Sequence, residues 1–287
     1  MYYKFNGYAL IELMLALLMS AFIVSSVFTI YLATQNINQA QIALTTIEER
    51  SRIAISLLSA DLRMAGYTGC AKLRTGYPHS DYAAFSLTNE NRIQPYHGIE
   101  VKEGSSGLTV RHADSQNAVL LTSMNQKEIL YISSIPHFSL SDVLLVSDCK
   151  KSELFKAKEV GMQHDGIQKI VSEKPLHDLY GKNAEISLFD IDTYFVGRTN
   201  RLNVKGEAIY ALYRLDNQFH KSEWIEGVED MKMQYDILEG DRLVEKEEKE
   251  IIDWSKVVGI SIMFTLSSND TVPIKKNVYL YVSLPAL

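Results

Sequence analysis

No proline and no glycine interrupts the chain between Tyr8 and Ala65, and the first glycine after Gly7 is Gly66. Within this stretch the 21 residues Leu13–Ala33 carry no charge, against about 20 apolar residues that a helix needs to cross a bilayer core. Gln35, Asn36, Asn38, Gln39 and Gln41 make the continuation polar, so a single span is placed at 13–34. Beyond it the pattern turns amphipathic. Ile47, Ala54, Leu58, Leu62 and Ala65 recur on one helical face, while Glu48, Glu49, Arg50, Arg52, Asp61 and Arg63 fall mostly elsewhere. Glu48 and Arg52 stand at the i, i+4 spacing in the favourable order. One helix from Tyr8 to Ala65 has 58 residues and reaches roughly 87 Å. Gly66 supplies the stop.

After Gly66 the period changes from helical to alternating. "VVGISIMFTL" (257–266) sets Val258, Ile260, Ile262, Phe264 and Leu266 on one side. "VYLYVSL" (278–284) and "MKMQYDI" (231–237) alternate in the same way, and "AIYALYRL" (208–215) and "ILYISSI" (129–135) do so more weakly. Each reads as a half-buried antiparallel strand. The run "EKEEKE" (245–250) reads as a solvated hairpin tip, and 71–127 as an irregular insertion with a few short strands. The expected fold class is α+β: a long N-terminal helix, residues 8–66, laid on an antiparallel sheet in one head, 67–287. A chain of 287 residues exceeds one small domain without clearly making two.

Composition narrows the chemistry. Hydrophobic residues at 46% and charged residues at 22% are ordinary globular values. A net charge of −6 lacks the basic footprint of a phosphate binder, so nucleic acid is not an expected partner. Seven histidines (His79, His97, His112, His137, His164, His177 and His220) never fall at i, i+3 or i, i+4. Clustered ligands of the usual metal motifs are therefore missing. "DIDTY" (190–194) lacks the twelve-residue calcium loop and reads as alternating acids at a strand entrance. No nucleophile elbow and no P-loop occurs. No catalytic residue, no cofactor and no metal is expected. Tyr279 and Tyr281 share one strand face and read as packing or subunit-contact residues. The two cysteines, Cys70 and Cys149, read as buried thiols in a cytosolic chain, or as a disulfide if the head lies outside the cytoplasm.

One carboxylate stands out. Glu12 heads the apolar run, five residues past Gly7, where an ionised group is costly and normally has a partner. A cleaved secretory signal is too short in its apolar core to match. A plain signal anchor held by Lys4 accounts for the hydrophobicity and leaves Glu12 unexplained. The stretch resembles the class III signal of the type IV pilin family, in which a short basic leader ends in glycine and glutamate is the fifth residue of the mature chain. By that resemblance the leader is 1–7, cleavage follows Gly7, and Tyr8, where the family usually has phenylalanine, becomes the methylated terminus. Glu12 then pairs in assembly with the terminal ammonium of a neighbouring subunit, since a buried charge must be paired. Pilins often carry a helix-kinking proline in the apolar half, and its absence here predicts a straighter helix.

"DLRMAGYTGC" (61–70), "VSDCKKSELF" (146–155), "DTYFVGRTN" (192–200) with "AIYALYRLD" (208–216), and "EWIEGVEDMKMQYDI" (223–237) resemble PilW-type minor pilins more closely than pilins at large. The ending "KKNVYLYVSLPAL" departs from the arginine-rich terminus associated with that family. The resemblance implies a structural, non-enzymatic subunit that helps prime pilus assembly. Its implied partners are a prepilin peptidase, other minor pilins, the major pilin and a tip adhesin. The implied location is the inner membrane with a periplasmic head, and after assembly the pilus tip. Two alternatives share many of these features: a type II secretion minor pseudopilin of the J type, and a periplasmic binding domain on an uncleaved anchor.

Overall fold

The computed structural model describes residues 8–71, 79–82, 85–163, 166–268 and 274–285. The leader 1–7, with Gly7, lies outside the described residues, and Tyr8 enters only as the first residue of the helix. That helix, α1, runs Tyr8–Met64 over 57 residues, roughly 86 Å at about 1.5 Å per residue. An unbroken supply of residues without proline or glycine permits this length. Gly66 takes a left-handed backbone, φ 81°, which a residue lacking Cβ adopts without strain, and its N–H donates to the Arg111 carbonyl at 2.8 Å. The stop signal is thus also a tie to the head.

Fourteen strands follow among the described residues: β1 His79–Ser80, β2 Ile93–Pro95, β3 Gly107–Val119, β4 Ile129–Ser133, β5 Val143–Ser147, β6 Ser152–Met162, β7 Ile167–Ser172, β8 Glu185–Leu202, β9 Ala208–Leu215, β10 Lys221–Glu226, β11 Val228–Glu239, β12 Arg242–Lys246, β13 Val257–Ser267 and β14 Lys275–Ser283. The class is α+β, but the strands form two sheets where one was expected. The first ten build one sheet whose main path is β10-β9-β8-β5-β6-β7-β4, and the last four build a second, ordered β12-β11-β13-β14. Pairing is antiparallel except for β1, which lies parallel to β6. The 18-residue β8 is the spine of the larger sheet. β3 pairs along one edge of it, while β5 and β9 share the other.

The principal core joins α1 to both sheets. Ile47, Ala54, Leu58, Leu62 and Ala65, the stripe expected from the sequence, pack with Leu108, Val110, Tyr194 and Val196 of the larger sheet and with Met231, Ile260, Ile262, Phe264 and Val282 of the smaller one. Ala43 is fully buried as well, and Ser51 nearly so, which extends the stripe by spacings of four and three. A second core lies between β4–β7 and the turns around Met124, Phe138 and Leu176, and contains no residue of α1.

Several expectations need correction. Residues 71–127 hold a 13-residue strand, β3, where only a few short strands were expected. The β11–β12 hairpin turns at Gly240–Asp241, and "EKEEKE" supplies the end of β12 and a short 3-10 turn at Glu248–Glu250. Val258 is only half-buried because a β-bulge pairs Asp236 with Gly259 but Ile237 with Val257, and Val257 takes the inward place. "DIDTY" lies in the interior of β8, well past the strand entrance at Glu185. Glu48 lies 3.4 Å from Lys276 of β14. Tyr279 and Tyr281 face outward and are largely exposed, so the head does not use them as core packing.

Candidate functional site

The apolar half of α1 leaves the head entirely. Every residue from Leu10 to Gln39 is exposed, including Leu15, Leu18, Phe22, Val24, Phe28 and Ile30. α1 is long and apolar enough to cross a membrane. No part of the described head covers this surface, which is far larger than the scattered apolar side chains of an ordinary monomer. Serine and threonine hydroxyls within it are satisfied locally: Ser26 donates to the Phe22 carbonyl at 2.9 Å and Thr29 to that of Ser25 at 2.7 Å. A polar hydroxyl is thereby made compatible with an apolar medium. Glu12 lies on this exposed segment.

The other end of α1 is clamped by polar groups that the sequence did not flag. Asp61 is held inward by its neighbours Leu58 and Leu62, both fully buried, and accepts a hydrogen bond from the Tyr194 hydroxyl of β8. Asp192, two residues before Tyr194 and on the same face of the strand, receives Arg214 of β9 in a two-pronged pair, Nε to Oδ1 at 2.8 Å and Nη2 to Oδ2 at 2.7 Å. The Arg214 guanidinium lies 5.3 Å from the Trp224 ring centroid, and Tyr194 packs on the same indole at 5.1 Å. His112 on β3 is opposite Asp190 of β8. One ring nitrogen of His112 and one carboxylate oxygen each of Asp61 and Asp192 lie within 4.8 Å of one another.

Burial sets the electrostatics of this cluster. It pushes the Asp190 carboxyl up to about 6, with the Asp192 charge adding to the effect. It also raises Asp192, which the Arg214 hydrogen bonds partly restore. The Tyr194 hydroxyl is raised far above the ordinary tyrosine range, first by burial and then by the charges of Asp192 and Asp61. It therefore stays a donor at every physiological pH. Nearer the end of the buried stripe that adjoins the exposed apolar rod, Arg50 reaches Glu226 at 3.3 Å and the Ser267 carbonyl at 3.3 Å.

Cys70 and Cys149 form a disulfide, with Cα atoms 4.7 Å apart and a sequence separation of 79. It joins the segment just past α1 to the β5–β6 turn, where the Asp148 side chain accepts from the Lys150 and Lys151 amides. The cysteines are surface residues, where a cytosolic reading had placed buried thiols. A further anchor was missed as well. Arg92 is 2% exposed and donates to the Pro285 carbonyl at 2.7 Å and the Val257 carbonyl at 2.6 Å, and burial lowers its guanidinium to about 10. A lone arginine before a short strand carries no periodic signal of such a role.

Of the residues singled out from sequence, Cys70 and Cys149 are brought together, while Glu12 stands far out on α1 from the polar clamp. Asp61, His112 and Asp192 come from three elements, and no local motif links them. Comparison with protein-family models, with curated proteins and with solved structures finds no match to this chain.

Proposed function

We propose that the chain is a PilW-type minor pilin, a non-enzymatic subunit stored in the inner membrane that helps prime assembly of a type IV pilus and ends at its tip. The observation that carries this reading is the division of α1. Its inner half is bound into the head along a continuous buried stripe, and its outer half is a bare apolar rod bearing the single carboxylate Glu12. An apolar surface of that extent needs lipid before assembly and neighbouring helices after it. Packing such rods together buries Glu12, so its charge calls for a cation, and an α-ammonium released by cleavage after Gly7 supplies one. The surface disulfide suits an oxidising compartment such as the periplasm.

The decisive measurement is the mass of the native N-terminus. A chain beginning at a methylated Tyr8 is expected, and one that still begins at Met1 in cells with active prepilin peptidase ends the proposal. Glu12→Val is expected to insert in the membrane and to fail in filament incorporation, and normal piliation by that variant would remove the charge-pairing argument. The type II secretion alternative predicts that deletion abolishes exoprotein secretion and leaves twitching intact.

A further inference from the structure

The clamp at the base of α1 has a member that the hydrogen bonds do not account for. His112 is 7% exposed. Its Nδ1 is 3.0 Å from the Ala113 carbonyl, the partner for a ring N–H. Nε2 is buried with no hydrogen-bond partner. Carboxylate oxygens of Asp61 and Asp192, themselves acceptors, lie within 4.8 Å of a ring nitrogen of His112. Two carboxylate oxygens and an unmatched ring nitrogen thus meet in a poorly solvated place, and leaving a buried polar atom unmatched is unfavourable.

We propose that Asp61, His112 and Asp192 bind one divalent cation of the zinc class, which pins the last turns of α1 to β3 and β8. Three features fit. A metal-bound histidine characteristically donates its other ring N–H to a backbone carbonyl, and metal-bound carboxylates are themselves hydrogen-bonded. Here Ala113 takes the Nδ1 proton, Tyr194 donates to Asp61 Oδ2, and Arg214 donates to both oxygens of Asp192. Each carboxylate oxygen keeps a further lone pair after these bonds. The donor set of one imidazole and two carboxylates suits a borderline cation better than calcium, which takes six or more oxygens. Charge points the same way: the carboxyls of Asp61, Asp190 and Asp192 converge here, Arg214 is hydrogen-bonded to Asp192, and a dication offsets the surplus. A zinc ion with bonds of about 2.1 Å holds its ligands roughly 3.4 Å apart, so a pair at the 4.8 Å limit closes by about 1.4 Å. Asp61, the half-buried member, closes the set from the helix side.

The site is independent of the pilin reading. The test uses the full chain in detergent, purified without a polyhistidine tag, stripped with EDTA and titrated with Zn²⁺. One equivalent bound per chain and a rise in the thermal midpoint are expected. His112→Gln and Asp61→Asn should each weaken Zn²⁺ binding by about tenfold or more and cancel the rise. Should His112→Gln fold poorly, Asp61→Asn decides alone, since an amide oxygen preserves the acceptor for Tyr194. Absence of stoichiometric Zn²⁺ binding in the wild type overturns the proposal, as does undiminished binding by a folded variant, which would place the ion elsewhere.

Discussion

At the scale of single residues, burial turns ordinary side chains into specific ones. Tyr194 and Asp192 would be unremarkable on a surface, but inside β8 each must be matched, and the match ties α1 to the larger sheet. His177 shows the opposite, solvent-facing case. Its Nδ1 lies 2.7 Å from Oε1 of Glu153, whose carboxylate is almost fully buried, and its Nε2 is 3.6 Å from Asp81. The hydrogen bond and charge of Glu153 raise its pKa above the ordinary histidine value. A raised value means that the folded state binds the proton more tightly than the unfolded chain. The stability it contributes is therefore complete below about pH 6.5 and disappears as pH rises through the folded value. Denaturation curves should show the wild type losing stability across that interval and His177→Gln losing less; parallel profiles would exclude the linkage. This pairing was not legible in sequence, because 24 positions separate the two partners and neither lies in a motif.

Among the elements, legibility followed periodicity. α1 was readable end to end from the absence of proline and glycine and from the stripe of inward residues. β11, β13 and β14 were readable because each has one buried face and one less buried or exposed, and the chain alternates accordingly. β5 was not, since all five of its residues are buried and alternation vanishes when both faces are covered. β8 is buried on both faces through its middle, and β3 loses its period at a register shift between Ala113 and Asn117. Of the larger sheet, β9 and β4 were legible as weaker alternating strands, while β3, β5 and β8, and with them the polar clamp, were not. The disulfide couples these two classes of element, tying the end of the readable helix to the β5–β6 turn. Closing a loop across 79 positions restricts the unfolded chain by about 4 kcal/mol. Replacing both Cys70 and Cys149 by serine should lower the free energy of chemical denaturation by that order, and an unchanged midpoint would show that the link constrains little.

For the molecule as a whole, the two halves of α1 have separate energetics. Among the described residues none before Ala43 belongs to the buried core, so the head owes no buried contact to the projecting rod. A chain starting at Ala40 should be monomeric in detergent-free buffer and unfold cooperatively at a midpoint close to that of the full chain. Light scattering and thermal denaturation check both, and aggregation or a broad, early transition would contradict the division. The full chain should need detergent or lipid, since about thirty exposed residues of predominantly apolar helix have no internal cover.

The buried stripe from Ala43 to Ala65 also has a mechanical meaning. It runs along the helix axis for roughly 33 Å at about 1.5 Å per residue. Tension on the rod therefore acts parallel to the contact, in shear, and loads all of its side chains together instead of peeling them one turn at a time. The junction is built to resist pulling far better than prying.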